Sequence, residues 1–121
     1  MTDPHHLAAR YVELWNETDA ERRQALLAQN WAPDATYADP LKQRTGHAEI
    51  GELIAAVQAR FAGCRFALDG AVEGHGRYLR FSWRLGPQDG EAMVRGADFA
   101  VTDGWRFKVV TSFLDRLPAT S

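Results

Sequence analysis

Cysteine occurs once in the 121 residues, at Cys64, so no internal disulfide can form and a free, structurally inert thiol is the simplest expectation. An excess of charge of one sign is also missing: 14 Lys and Arg stand against 16 Asp and Glu, a formal net charge of −2. Without a broad basic surface, neither nucleic acid nor an anionic membrane is an expected partner. No apolar run approaches the roughly 20 residues that a membrane-spanning helix requires, and the first residues hold no signal-peptide core, which makes the cytoplasm the expected location. Metal-binding patterns are lacking as well. Of the four His, His5 and His6 are adjacent at the start of the chain, and no HxxH, HExxH or Cys/His cluster is present, so no metal is expected. Repeats, linkers and low-complexity stretches are absent. The length is that of one domain, residues 1–121, sufficient for a core but too short for separate cofactor and substrate domains.

What the chain does contain is a change of hydrophobic period about halfway along. Asp3-Pro4 reads as an N-cap followed by proline in the first turn, and Leu7, Tyr11, Leu14, Trp15 and Thr18 recur at helical spacing, predicting a helix to about Asn16. Thr18-Asp19-Ala20-Glu21 reads as a capping box opening a short second helix that carries Leu26 and Leu27 and closes at Trp31 and Pro33. Thr36-Tyr37 reads as a short strand. Pro40 must end it, since proline cannot donate to a ladder, so Asp39 is presented at a strand end and Lys42 to Thr45 read as a loop. Ile50, Leu53, Ile54, Val57 and Phe61 form the apolar stripe of a third helix between Thr45-Gly46 and Gly63. Beyond Gly63 the period becomes two. Phe66, Leu68, Gly70 and Val72 alternate with Arg65, Ala67, Asp69 and Ala71, and Leu79, Phe81, Trp83 and Leu85 alternate with Tyr78, Arg80, Ser82 and Arg84. Two more strands are predicted over roughly 92–101 and 105–114, with turns at Gly74-His75-Gly76, Gly86 to Gly90 and Asp103-Gly104. Helices followed by an antiparallel meander make an α+β domain, in which a curved sheet wrapped around the helices leaves a conical cavity.

Two lone acids are expected to point into that cavity: Asp39, in Tyr37-Ala38-Asp39-Pro40, and Asp98, in Arg95-Gly96-Ala97-Asp98. An acid in mid-strand between apolar neighbours opposes strand propensity. Ringed by Trp83, Phe81 and Val94, Asp98 loses hydration, which disfavours its charged form and moves its pKa toward the range where it exchanges protons with carbon. The side chains expected to touch a ligand are the aromatics Trp15, Trp31, Tyr37, Phe61, Phe81, Trp83 and Phe113. Structural roles compete at each position. An Asp before proline commonly caps a turn, Asp98 can pair with an Arg, and Tyr11, Trp15, Trp31 and Trp83 serve a core equally well. The combination is what points to proton chemistry. Arg80, Arg84 and Arg95 fall on the opposite, wetter strand face.

Arg10-Tyr11-Val12-Glu13-Leu14-Trp15-Asn16, then Tyr37-Ala38-Asp39-Pro40-Leu41, then Gly96-Ala97-Asp98-Phe99, set in three helices and a meander, resemble the nuclear transport factor 2-like superfamily. Within it the chain is similar to the SnoaL-like and ketosteroid isomerase-like proteins, from about Leu7 to Leu117. The resemblance implies a cone-shaped fold with N-terminal helices packed against a curved antiparallel sheet. By position it also implies Asp39 as general base, Tyr11 as phenolic donor and Asp98 as a second, protonated acid, with no cofactor. A homodimer through the sheet is implied too. His75 is expected at the surface of its turn, but some SnoaL-like proteins carry a His there, which makes it a candidate ligand contact.

Three functions of different classes stay open. One is an isomerase or cyclase that moves a proton next to a carbonyl. Another is a hydrolase like limonene epoxide hydrolase, whose Arg-x-Asp is here Arg80-Phe81-Ser82 and so incomplete. The third is a non-catalytic module that holds a small apolar or aromatic molecule or only dimerises.

Overall fold

The computed structural model describes residues 3–116; Leu117, the far end of the resemblance, lies outside them. The elements are α1 (Pro4–Asn16), α2 (Ala20–Asn30), β1 (Trp31–Ala38), β2 (Gln43–Thr45), α3 (Gly46–Arg60), β3 (Cys64–His75), β4 (Tyr78–Pro87), β5 (Val94–Thr102) and β6 (Phe107–Arg116). Asp3 caps α1 by accepting from the His5 N–H, and Leu7, Ala8, Tyr11, Leu14 and Trp15 make its buried stripe. The cap of α2 lies one residue later than the capping box predicts. Asp19 accepts from the Arg22 N–H at 2.9 Å, and Glu17, not Glu21, accepts from the Asp19 N–H at 3.1 Å. A carboxylate outcompetes the Thr18 hydroxyl at the positive end of a helix.

Strand β1 begins directly at Trp31 and is longer than Thr36-Tyr37. Pro33 fits inside it because the register against β6 breaks between Trp31 and Thr36, so no ladder bond is asked of the proline. Part of the predicted 42–45 loop is strand β2, paired antiparallel with β1. The sheet order is β2-β1-β6-β5-β4-β3, antiparallel throughout except for the parallel β1–β6 pair. The expected meander is therefore present, extended at one edge. The sheet is curved and does not close. Register shifts produce the curvature: one lies between Leu68 and Val72, where Gly70 supplies a φ of 97°, and another between Val101 and Thr102.

Side-chain staples hold the helices on the inner face of the sheet. Asn16 donates to the Phe66 carbonyl at 2.9 Å and accepts from the Phe66 N–H at 2.8 Å, which fixes the end of α1 to β3. Gln58 of α3 donates to the carbonyls of Trp15 and Glu17 and accepts from the buried Arg23 of α2. These polar ties set how far α1 stands from the strands. The face carrying Tyr11 and Trp15 consequently closes over Leu79, Phe81, Trp83 and Leu85 of β4, all buried as the alternation predicts.

Candidate active site

Asp98 reaches the inner face because β5 alternates Val94, Gly96, Asp98 and Ala100 inward. Its side chain is 2% exposed. One carboxyl oxygen, Oδ1, accepts from the Trp83 Nε1–H at 2.9 Å, and the other, Oδ2, is hydrogen-bonded to the Tyr11 hydroxyl. Burial raises the Asp98 carboxyl above its ordinary value, while Ser112, Tyr11 and Trp83 oppose the rise and Asp39 adds to it. Tyr11 is pushed well above the usual phenol range by burial and then by the Asp98 charge, and Tyr37 is raised for the same two reasons, with Asp39 adding to the effect. Both phenols therefore keep their protons and serve as donors.

Asp39 stands just past the end of β1. Its Oδ1 accepts from the backbone N–H groups of Leu41 and Lys42, each at 2.7 Å, and its Oδ2 accepts from the Tyr37 hydroxyl at 3.0 Å. The turn-capping role and the cavity role thus coincide in one residue. A cavity of about 430 Å³ lies between α1, α3 and the sheet, and both acids line it. Its wall is otherwise mainly apolar, with Trp15, Tyr37, Phe61, Phe66 and Trp83 as the aromatic members. Buried donors around one acid and a half-buried second carboxylate at the rim are equipped to move a proton and to stabilise a developing oxyanion.

A SnoaL-like domain profile matches residues 8–109. The chain belongs to the SnoaL-like family. A candidate isomerase of the SnoaL-like family from Agrobacterium tumefaciens strain C58 is 41% identical over 95% of this chain and 99% of its own, with a TM-score of 0.88. At 19% identity, a candidate ketosteroid isomerase from Kribbella flavida shares the fold over 98% of this chain and 82% of its own, with a TM-score of 0.70. A candidate SnoaL-like polyketide cyclase from Jannaschia sp. CCS1 does so at 14% identity over 95% and 90%, also with a TM-score of 0.70. No curated relative matches the chain.

Of the residues singled out from the sequence, Tyr11, Trp15, Tyr37, Asp39, Phe61, Trp83 and Asp98 line this cavity. Trp31, Phe81, His75 and Phe113 do not. Trp31 and Phe81 are fully buried behind Tyr11, at ring-centroid distances of 5.9 and 5.0 Å, so they support its ring and do not face the cavity. His75 ends β3 at the surface, beside the exposed Tyr78. Phe113 is 58% exposed on the outer face. An uninterrupted strand would put Phe107 and Phe113 on one side, but a one-residue register shift, Thr102 pairing Phe107 and Val101 pairing Val109, turns Val110, Ser112 and Leu114 inward instead. The cavity wall also includes Ser112, Lys42 and Arg60, which no sequence motif marks. Arg80 points outward and pairs with Glu73, so β4 supplies no arginine to a hydrolase-type relay.

The raised Asp98 gives a pH signature. A carboxyl whose folded-state pKa lies above its unfolded value contributes stability that is complete below the unfolded value and is lost as pH rises through the folded one. Asp98→Asn cannot ionise and does not suffer that loss. Denaturant unfolding across pH is therefore expected to show the Asn variant gaining on wild type as pH rises above about 4. The gain is about 1.4 kcal/mol for each pH unit separating the two values. A constant difference at all pH values would mean that Asp98 titrates alike in both states.

Proposed function

We propose that this SnoaL-like protein is an acid–base enzyme that moves a proton next to a carbonyl in a small, largely apolar molecule, as an isomerase or cyclase does. The observation that carries this reading is the Tyr11–Asp98–Trp83 cluster, buried in an apolar cavity that Asp39 also lines. The Trp83 N–H occupies Oδ1, so a proton on Asp98 resides on Oδ2, facing Tyr11. Asp98 then donates to the Tyr11 oxygen and frees the Tyr11 hydroxyl to donate to a substrate carbonyl. Asp39 takes the proton from the adjacent carbon, and the resulting enolate oxygen is stabilised by Tyr11, with Asp98 positioning it. Returning the proton to another carbon completes an isomerisation; attack of the enolate on a second carbonyl within the substrate, with the proton held on Asp39 passing to the new alkoxide oxygen, completes an aldol-type cyclisation. The test is proton NMR in D2O over a panel of cyclic unsaturated ketones. Enzyme-dependent exchange or migration of the hydrogen beside the carbonyl is expected, and its absence across the panel, with ligands shown to bind, overturns the reading in favour of a binding module. That second reading has one observation behind it: three donors already engage the Asp39 carboxylate.

We also propose that a second copy of the chain covers the outer sheet face. The alternation in β4 alone describes a polar face, but β5 and β6 add exposed Phe99, Val109 and Phe113 beside Tyr78, and the Arg80–Glu73 and Arg95–Asp69 ion pairs stand among them. A contiguous apolar patch flanked by paired charges of both signs fits a self-complementary interface. Sedimentation velocity is expected to give a dimer, weakened at least about tenfold by Phe113→Asp. A wild-type monomer at every concentration would remove the dimer.

A further inference from the structure

We infer that the substrate of this cavity is an apolar keto acid, whose carbonyl lies in the depth at Tyr11 and Asp98 and whose carboxylate lies at the mouth on Lys42 and Arg60. This deepens the proposed proton chemistry by giving its substrate a second end. The cavity wall grades from buried to exposed. Tyr11, Trp83 and Asp98 are buried, whereas Leu41, Lys42, Ala56 and Arg60 of the same wall are exposed and mark where it opens. Arg60 belongs to the wall because Leu53, Ala56, Val57 and Arg60 share one face of α3, running from buried Leu53 outward to the helix end. Its guanidinium lies over the ring of Phe61, itself a wall residue, 5.5 Å from the centroid, and so stays against the opening. Lys42 is placed by its backbone. Its N–H donates to Asp39 Oδ1 at 2.7 Å and its carbonyl accepts from the Asp39 N–H at 2.9 Å, which leaves the ammonium uncommitted.

Among the described residues, neither cation has an ion-pair or side-chain hydrogen-bond partner, whereas Arg80, Arg95, Arg106 and Lys108 each pair with a carboxylate. A helix C-terminus accounts for a cation at Arg60, but not for a second one in the same wall. Charge decides the class of anion. Lys42 and Arg60 face a single ionised carboxylate, Asp39, since burial keeps the proton on Asp98, and one positive charge is left over in an otherwise apolar wall. A carboxylate matches it. A phosphate near neutral pH carries close to two negative charges and would leave one of them unmatched beside Asp39. The apolar body of such an acid also covers Leu41, 70% exposed at the mouth.

The experiment is isothermal titration calorimetry of the full chain at low ionic strength, where rim charges are least screened, with naphthylacetate, naphthylacetamide and naphthyl phosphate as probes. Wild type is expected to bind the acid about tenfold more tightly than the amide, and the phosphate no better than the acid. Lys42→Gln and Arg60→Gln should each cut the acid-to-amide ratio by about threefold, and the double variant should bring the two ligands to parity with amide affinity unchanged. Arg65→Gln, which removes an exposed cation of β3 outside the wall, should leave the ratio at its wild-type value. Parity in wild type, a preference that survives the double substitution, or an equal loss in Arg65→Gln overturns the carboxylate site, and a phosphate bound more tightly than the acid overturns its class. The proton chemistry is read separately. Absence of hydrogen exchange beside a carbonyl leaves this ratio as it is, and parity of acid and amide leaves exchange in neutral ketones as it is.

Discussion

Asp39→Asn is expected to lower turnover by about 10²–10⁴-fold while leaving fold and cavity intact. The substitution is discriminating because Asp39 does two things with two oxygens. Its Oδ1 holds the turn through the N–H groups of Leu41 and Lys42, and an asparagine carbonyl oxygen can accept both of those bonds unchanged. Its Oδ2 faces Tyr37, and there asparagine places an NH2 group that donates to the phenol oxygen but cannot take a proton from carbon. Turn and base are thus separated by one atom. Asp39→Ala removes both functions and should lose thermal stability along with activity. If Asp39 only caps the turn, the Asp39→Asn variant would turn over like wild type and the Asp39→Ala variant alone would suffer. Steady-state kinetics should place the effect of Asp39→Asn in kcat with KM little changed, because the abstraction step, not ground-state binding, loses its base. Near-ultraviolet circular dichroism of the aromatic cavity and a thermal melt identical to wild type would confirm that the architecture survives.

The parts of this arrangement that could be read from sequence are those where one local rule governs. The strict alternation Leu79, Phe81, Trp83, Leu85 gives the inner face of β4, and an acid set in the apolar run of β5 identifies Asp98. Tyr11 and Trp15, four residues apart on one helix, share a face by geometry alone. What was not legible depends on register. Phe113 and Ser112 exchange faces through a one-residue shift that leaves no mark in residue types. Ser112 becomes notable only once pairing sets it opposite Asp98, and Arg60 only once the end of α3 is laid against the sheet. Trp31 and Phe81 show a further limit: hydrophobic pattern puts an aromatic inside but does not say whether it forms the cavity wall or stands behind another ring that does. The β2 strand leaves no sequence signal because three residues, Gln43, Arg44 and Thr45, are too few to carry a period.

Gly96→Ala should destabilise the protein by about 1–3 kcal/mol or more and disable the site with it. Gly96 pairs with Trp83 on one side and Leu114 on the other, in the middle of the sheet. A Cβ there would stand 2.6 Å from the Phe113 carbonyl oxygen and 2.6 Å from Trp83 Cζ2, with Cε2 at 3.0 Å. The first of these is backbone within the β5–β6 ladder and cannot retreat without breaking pairing. The second is the indole ring whose Nε1–H holds Asp98 at 2.9 Å. The ring therefore has to swing, and Asp98 loses a donor that favours its charged form, so its carboxyl rises further and its pairing with Tyr11 loosens. Trp83→Phe separates the two consequences: it removes the N–H without placing an atom at Gly96, and should cost the buried Asp98 oxygen its partner, about 1–3 kcal/mol. Combining Gly96→Ala with Trp83→Phe should cost less than the sum, because the smaller ring relieves part of the clash while the Phe113 carbonyl contact stays. Denaturant unfolding of the three variants measures this directly. Strict additivity would mean that the indole does not rest on Gly96, and the close approach of β5 to Trp83 would then have no part in aiming the donor at Asp98.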